Sequence, residues 1–269
     1  MQSVSHKSSK EERDILLEYQ SIDLKKNRKK MVLDIPIDDL TQDETAATIM
    51  NYLDSKSGLK TVLFLDPIKL IQLRPKSKLH RLVGKTNLIL PEGELLGWFS
   101  GKRIENRVSK IALMMDLMRL SELKGYTLFF FGAEDNVLER VILNLSRHFP
   151  KARIVGRHAG FISIEREGIV KEAIRKIGAD IVFLANSFPD GEIWIESNSN
   201  VFGNSVVISL GDAFDILSGM KKKAPASFAL KGYTWLWRIL ARPWKLKKWY
   251  YLFLFLGIRI FQKSRATKG

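Results

Sequence analysis

Carboxylates that follow apolar runs are the residues in this chain best placed to do chemistry. Glu92 and Asp66 each come directly after such a run, and Asp215 follows a third run closely. A general base must lie where substrate reaches it, with its pKa set by its surroundings. Each carboxylate also has an ordinary structural alternative, since Asp66 can cap a helix that begins at Pro67 and Glu92 can stabilise a turn. Glu92 is the first candidate for a catalytic base.

Basic residues that could neutralise an anionic substrate fall into two groups. Arg107 stands alone at the start of an apolar helix, where it either binds an anion or is simply solvated. The second group lies in residues 216–269, which hold thirteen Lys or Arg and no Asp or Glu, and therefore +13 of the formal net charge of +15. Charge concentrated in this way predicts a binding surface for an acidic partner.

Several kinds of site are excluded or disfavoured by composition. The chain has no cysteine, which excludes disulfides, thiolate zinc sites, iron–sulfur clusters and a cysteine nucleophile. The four histidines are scattered, and no phosphate-loop, dinucleotide, nucleophile-elbow or metalloprotease motif occurs. We therefore assign no metal and no cofactor.

The elements that must position these residues follow a repeating order. A capping box at Thr41 predicts a helix that continues to about Asp54. Six β-rich runs then alternate with helical periods: Thr61–Leu65, Asn87–Leu90, Tyr126–Phe131, Arg153–Val155, Asp180–Leu184 and Ser205–Leu210. This order predicts an α/β fold, with a mostly parallel, Rossmann-like sheet and helices on both faces. Ligands of such sheets bind outside the carboxyl ends of the strands.

Composition divides the chain into three parts. Residues 1–30 are polar and predict a mobile leader, and residues 31–219 form the predicted α/β domain. Residues 220–269 form a basic, aromatic helical appendage in which lysine and arginine interleave with tryptophan, tyrosine and phenylalanine. That pattern favours a helix in the membrane interface, since the apolar run 249–258 is too short to span. A helix that packs on its own domain and a nucleic-acid-binding tail are the alternatives.

The first thirty residues contain no apolar run of the kind found in export signals, and no uncharged apolar stretch in the chain reaches membrane-spanning length. We expect a protein that is neither exported nor membrane-spanning. The lysine and arginine bias of the appendage places it peripherally on the cytoplasmic face of the inner membrane.

Four short motifs resemble, in order and spacing, those of the WecG/TagA/CpsF glycosyltransferases. The resemblance extends from about Met31 to about Leu256. The segments that carry it are Arg153-Ile154-Val155-Gly156 with Gly160-Phe161, Pro189-Asp190-Gly191-Glu192-Ile193-Trp194, Gly211-Asp212-Ala213-Phe214-Asp215 with Ser218-Gly219 and Lys223-Ala224-Pro225, and Gly232-Tyr233-Thr234-Trp235-Leu236-Trp237-Arg238 with Pro243.

The resemblance implies an inverting, metal-independent transferase that moves an N-acetylhexosamine from UDP to a polyprenyl-diphosphate-linked sugar. The family's catalytic Asp-Gly falls on Glu92-Gly93, and its Arg-Val on Arg107-Val108, so Glu92 and Arg107 are the predicted catalytic residues. Predicted substrate-binding residues are Asp66, Gly132, Gly191, Glu192, Gly211, Asp215, Arg238 and Lys245.

This sequence departs from the family pattern at three positions. Glu92 replaces an aspartate, Phe64 replaces a threonine, and Gly191 replaces a glutamine. The changes at 64 and 191 motivate an alternative function, a catalytically lapsed relative that serves as a membrane-bound binding or scaffolding subunit. The predicted partners remain a UDP-N-acetylhexosamine, a polyprenyl-diphosphate acceptor and an anionic membrane surface, with no nucleic acid and with homo-oligomerisation left open.

Overall fold

The computed structural model describes residues 28–92, 104–160 and 162–222. It also describes residues 14, 16–22, 96, 224–225, 227–228, 236–237, 240, 249–251, 253–254 and 257. The strands are β1 (Lys29–Val32), β2 (Ile35–Asp38), β3 (Lys60–Leu65), β4 (Leu88–Pro91), β5 (Thr127–Phe131), β6 (Arg153–His158), β7 (Ile181–Leu184) and β8 (Val206–Ser209). The helices are α1 (Gln42–Ser55), α2 (Pro67–Leu73), α3 (Arg81–Lys85), α4 (Lys110–Lys124), α5 (Asp135–His148), α6 (Ile164–Ile177), α7 (Asp190–Ser197) and α8 (Ala213–Leu217).

The main sheet has six strands in the order β4-β3-β8-β7-β5-β6, and all of its pairs are parallel. The predicted α/β class and all six predicted strands are confirmed, and no strand end differs from the prediction by more than three residues. The strands β4, β7 and β8 have four residues each, and all of these residues are buried, as expected for strands covered on both faces.

Helices cover both faces of this sheet. On one face α1, α4, α5 and α8 enclose an apolar core built around Phe64, Phe130, Phe183 and Phe214. On the other face α2 and α3 pack with the β1–β2 hairpin over one half of the sheet, and α6 and α7 pack over the other half.

The direction in which the chain leaves each strand creates a crevice at the carboxyl edge. After β3 the chain enters α2 on one face, whereas after β8 it enters α8 on the opposite face. Because β3 and β8 are neighbours, their connecting loops separate at this edge. Parallel α/β proteins bind ligands at such points.

Two helices at this edge begin with sequence signals that are visible without the structure. Thr41 accepts a hydrogen bond from the Glu44 backbone while the Glu44 carboxylate accepts one from the Thr41 backbone, so the predicted capping box of α1 is confirmed. Ser109 caps α4 by accepting from the Ala112 N–H. The start of α4 is therefore fixed beside the crevice.

The terminal segments contribute to the packing of the domain. In the predicted leader, residues 16–21 are helical, and Leu16 and Tyr19 pack against the core on the α4 face. In the predicted appendage, Trp249 and Tyr251 pack against the apolar cluster of α2, α3 and the hairpin. Among the described residues, no helix has the length and apolar character needed to cross a membrane.

Candidate functional site

The candidate site lies at the carboxyl ends of β4, β3 and β8, which are adjacent in that order. Glu92 directly follows β4, and its N–H donates to the Leu65 carbonyl at 2.7 Å, which continues the pairing of β4 with β3. Glu92 is 8% exposed. The carboxylate that the sequence selects as base is therefore held at the edge where a ligand is expected.

A buried lysine joins the two outer strands of this trio. Lys110 Nζ lies 3.0 Å from Glu92 Oε2 and 3.5 Å from Asp212 Oδ1. Glu92 follows β4 and Asp212 follows β8, so the lysine reaches across the end of β3. Opposite charges at these distances attract one another and hold the two carboxylates together across the end of β3. We call Glu92, Lys110 and Asp212 the charge triad.

Arg107 lies three residues before Lys110 and is exposed. The segment before it is tied to the end of the hairpin, because Asp39 accepts hydrogen bonds from the N–H groups of Asn106 (2.9 Å) and Glu105 (3.3 Å). Lys30 forms an ion pair with Asp39 at 2.6 Å. Burial raises the pKa of Asp39, but the hydrogen bonds from Lys30 and the two backbone groups outweigh it and leave that pKa lowered.

Asp66 performs the ordinary role that the sequence offered for it. It caps α2, with its Oδ1 accepting from the Lys69 N–H at 2.8 Å. The Lys69 ammonium group in turn donates to the Phe64 carbonyl at 2.7 Å. Asp66 thus shapes the end of β3, and its predicted contact with substrate stays a prediction.

Gly132 and Gly191 lie around the side chain of Asn186, which follows β7. A Cβ built on Gly132 would lie 2.2 Å from Asn186 Oδ1, and one on Gly191 would lie 2.8 Å from Asn186 Cβ. Gly160 is equally close, and its carbonyl accepts a hydrogen bond from Asn186 Nδ2 at 3.1 Å. These glycines are needed for close packing, which is a structural reason for glycine at 191.

Glu192 faces a cavity of about 230 Å³ between α3 and α7. Apolar side chains supply much of its lining, among them Leu63, Leu82 and Val207. Glu192 Oε2 is shielded from solvent and has no hydrogen-bond partner among the described residues. Burial raises the pKa of Glu192, although Lys69 opposes the shift. The cavity also reaches Ser209, the last residue of β8.

The other predicted contacts divide into those near the triad and those beyond the described residues. Gly211 adopts φ 57°, and a Cβ built on it would lie 4.0 Å from Lys110 Nζ. Asp215 lies in α8 and forms an ion pair with Lys221. Arg238 and Lys245 lie outside the described residues.

Sequence reasoning did not single out Lys110, Asp212 or Asn186. Asp212 carried a weak signal, since it follows glycine directly after a strand. Lys110 carried no sequence signal, because it is one of many lysines and its position in the charge triad depends on contacts across the end of β3. In the described part of the chain, no group of three histidine or acidic residues is arranged to hold a metal ion.

A parallel α/β sheet binds ligands at its carboxyl edge, and this chain places a carboxylate and a cation there. The chain belongs to the glycosyl transferase WecG/TagA/CpsF family, whose model matches residues 30–269. It is therefore a glycosyltransferase. The match includes the appendage as well as the α/β domain.

Curated relatives of this chain carry a common name. An N-acetylglucosaminyldiphosphoundecaprenol N-acetyl-β-D-mannosaminyltransferase of Bacillus subtilis is 25% identical over 74% of this chain and 77% of its own length. A Bacillus spizizenii protein of the same name is 28% identical over 71% and 75%. One from Staphylococcus aureus is 29% identical over 53% and 55%.

Proposed function

We propose that this protein transfers an N-acetylhexosamine from a UDP-sugar to a sugar carried on polyprenyl diphosphate, with inversion at the anomeric carbon. The single observation that carries the proposal is Glu92, a carboxylate in contact with a buried lysine at the carboxyl edge of the sheet. The acceptor class is inferred from the names of the relatives, which are polyprenyl-linked N-acetylmannosaminyltransferases.

In the proposed reaction Glu92 takes the proton from the acceptor hydroxyl as its oxygen attacks the anomeric carbon. The new carbon–oxygen bond forms while the bond to the diphosphate breaks, and the electron pair of that bond leaves with UDP. A single displacement of this kind inverts the anomeric configuration. No covalent sugar–enzyme intermediate is required.

Charge on the leaving diphosphate must be neutralised in the same step. Arg107 is an exposed cation three residues before α4, and the Asp39 contacts fix the segment that carries it. The predicted contributions of Arg238 and Lys245 come from the appendage, which the family match includes. These three residues are the proposed diphosphate contacts.

The proposed place of action is the cytoplasmic face of the membrane, where a polyprenyl-linked acceptor resides. The appendage has the composition for this, and its described residues include the exposed aromatic side chains Tyr250 and Phe253. Trp249 and Tyr251 face the domain instead. Among the described residues of the appendage, Trp249 and Tyr251 therefore contact the protein, while Tyr250 and Phe253 are available to lipid headgroups.

The structure offers a packing reason for each of the two residues, Phe64 and Gly191, that differ from the family pattern and suggested a lapsed enzyme. Phe64 is fully buried in the core between Val62 and Leu90, and Gly191 packs against Asn186. Restoring threonine at 64 would leave a core cavity, and restoring glutamine at 191 would push against Asn186 and Leu184. Neither revertant is therefore a clean test of lost activity.

The function is tested by assaying purified full-length protein with nanodiscs that contain a polyprenyl-diphosphate-N-acetylglucosamine acceptor. A panel of UDP-N-acetylhexosamines is supplied, and the product linkage is determined by NMR. We expect acceptor-dependent release of UDP with one donor and an inverted anomeric centre in the product. A retained configuration would refute the single displacement, and silence across the panel would refute the donor class.

A further inference from the structure

Lys110 contacts the candidate base, yet the proposed reaction gives it no part. Its side chain is 9% exposed, and its ammonium group lies between Glu92 and Asp212. A buried ammonium group is costly unless anions surround it. The structure meets that cost with two carboxylates from different strands, so the cation is held in place at the edge where the reaction would occur.

The charge triad carries one cation and two anions. Lys110 also opens α4, a helix of 15 residues, and its N–H groups add partial positive charge at that end. Anions bind readily at the starts of helices, and phosphates do so in particular. A diphosphate that arrives here competes with Glu92 for the same ammonium group.

The geometry of a single displacement makes this competition decisive. The base and the leaving diphosphate lie on opposite sides of the anomeric carbon. Movement of the ammonium group toward the diphosphate therefore takes it away from Glu92 Oε2, which it contacts at 3.0 Å. The lysine side chain is flexible, with a charged group at its end that can change partners by rotation of its stem.

We propose that Lys110 exchanges partners when the donor binds, leaving Glu92 for the diphosphate while Asp212 keeps the ammonium group near the edge. This inference rests on the proposed function. The exchange neutralises the leaving group and, in the same movement, removes from Glu92 the cation that lowers its basicity. Glu92 then becomes a stronger base only when a donor is present, which suppresses proton transfer in the free enzyme.

Several other charged groups near this edge have partners of their own. Asp66 lies at the end of β3 and caps α2. On the hairpin that packs beside β4, Asp38 pairs with Lys29 and Asp39 pairs with Lys30. Arg107 is exposed in the segment before α4.

The test compares the pH dependence of kcat/KM for the donor, which reports the free enzyme, with that of kcat, which reports the donor complex. The acid limb of each profile is the range in which the value falls as pH is lowered. In the wild type we expect the acid limb of kcat to lie at higher pH than the acid limb of kcat/KM. In Lys110→Met, the acid limb of kcat/KM should move up toward that of kcat, because the free enzyme has lost the Lys110 cation beside Glu92. The kcat limb should stay where it is.

Rate and affinity give a second readout. We expect Lys110→Met to lower kcat about 100-fold or more, as removal of a group that stabilises developing charge does. Affinity for UDP, measured by calorimetry, should fall about 10-fold or more through loss of a charge-assisted contact. Lys124→Met is the matched control, because Lys124 ends the same helix about 21 Å away and pairs with Asp54.

Loss of the cation could also destabilise the fold, and a second variant separates that effect. Lys110→Met combined with Asp212→Asn keeps the net charge of the triad at −1 while still removing the ammonium group. Thermal denaturation first shows whether this double variant is folded. The inference predicts that the folded double variant shows the same upward shift of the acid limb of kcat/KM.

Failure of the inference and failure of the proposed function give different results. If the wild type transfers sugar and both acid limbs of Lys110→Met stay at their wild-type positions, the partner exchange is wrong and the function stands. If UDP binds Lys110→Met as tightly as it binds Lys124→Met, the diphosphate contact is wrong. If the wild type transfers no sugar from any donor, the proposed function fails, and loss of UDP affinity in Lys110→Met would still support the contact.

Discussion

At the residue scale, Glu192 faces the cavity between α3 and α7, and its titration makes the stability of the fold depend on pH. Burial raises its pKa above that of the unfolded chain. The contribution of Glu192 to the free energy of unfolding is therefore fully present below its unfolded pKa. It is lost as pH rises through its folded pKa. We predict that Glu192→Gln raises the midpoint of thermal unfolding at pH 8 and leaves it nearly unchanged at pH 4. Equal unfolding midpoints for the wild type and Glu192→Gln at pH 8 would contradict this account.

Gly191 gives a second prediction at the same scale. Alanine at 191 would place its Cβ 2.8 Å from Asn186 Cβ and 3.2 Å from Leu184 Cδ2. We expect Gly191→Ala to destabilise the fold by about 1–3 kcal/mol through overpacking. Gly168→Ala is the control, since that helical position has open space, and it should stabilise by up to about 1 kcal/mol. Urea denaturation measures both, and equal effects would refute the packing role of Gly191.

At the scale of elements, the hairpin holds the segment that precedes Arg107. Asp39 has a lowered pKa, so its stabilisation is present above the unfolded pKa and is lost as pH falls through the folded value. We predict that Asp39→Asn costs about 1–3 kcal/mol at pH 7, because the Lys30 pair is lost and a buried group is left poorly satisfied. The cost should shrink at low pH.

The control for this element is Glu105→Gln. Glu105 is also near Lys30, at 3.8 Å, but its side chain is 70% exposed, so its loss should be nearly neutral. If urea denaturation finds the two variants equally stable at pH 7, the hairpin does not anchor this segment. Activity assays then show whether loosening the segment weakens donor binding through Arg107.

The helices and strands could be predicted from the sequence more completely than the candidate site could. Apolar runs such as 61–65 and 205–210 mark buried parallel strands because all of their residues except Thr61 are buried. The Thr41 capping box marks α1 through local hydrogen bonds. Glu92 and Asp212 could be placed at the edge, since each follows a strand. The lysine between them could not, because strand order is not encoded in any local pattern.

At the scale of the whole molecule, the described residues within 249–254 of the appendage divide into partly buried and exposed side chains. Trp249, Tyr251 and Leu254 pack against the domain, whereas Tyr250 and Phe253 are 61% and 65% exposed. We predict that Tyr250→Ser with Phe253→Ser weakens binding to phosphatidylglycerol vesicles about 10-fold or more and leaves thermal stability unchanged. Trp249→Ala should instead lower the unfolding temperature.

Vesicle flotation measures the first effect and calorimetry the second. High salt should weaken binding of both the wild type and the double serine variant, because the lysine and arginine contribution is screened. Undiminished flotation of the double serine variant would show that the membrane-binding surface lies elsewhere. A large fall in its unfolding temperature would show that these two side chains belong to the core.

The central claim is that Glu92 at the sheet edge is the base for sugar transfer. The most direct measurement is acceptor-dependent UDP release by Glu92→Gln, beside Glu105→Gln as a control for an exposed glutamate. We predict that Glu92→Gln loses at least about 100-fold in kcat while it binds UDP at least as tightly as the wild type does. Near-normal turnover by Glu92→Gln, with Glu105→Gln also active, would contradict the account and remove Glu92 from the mechanism.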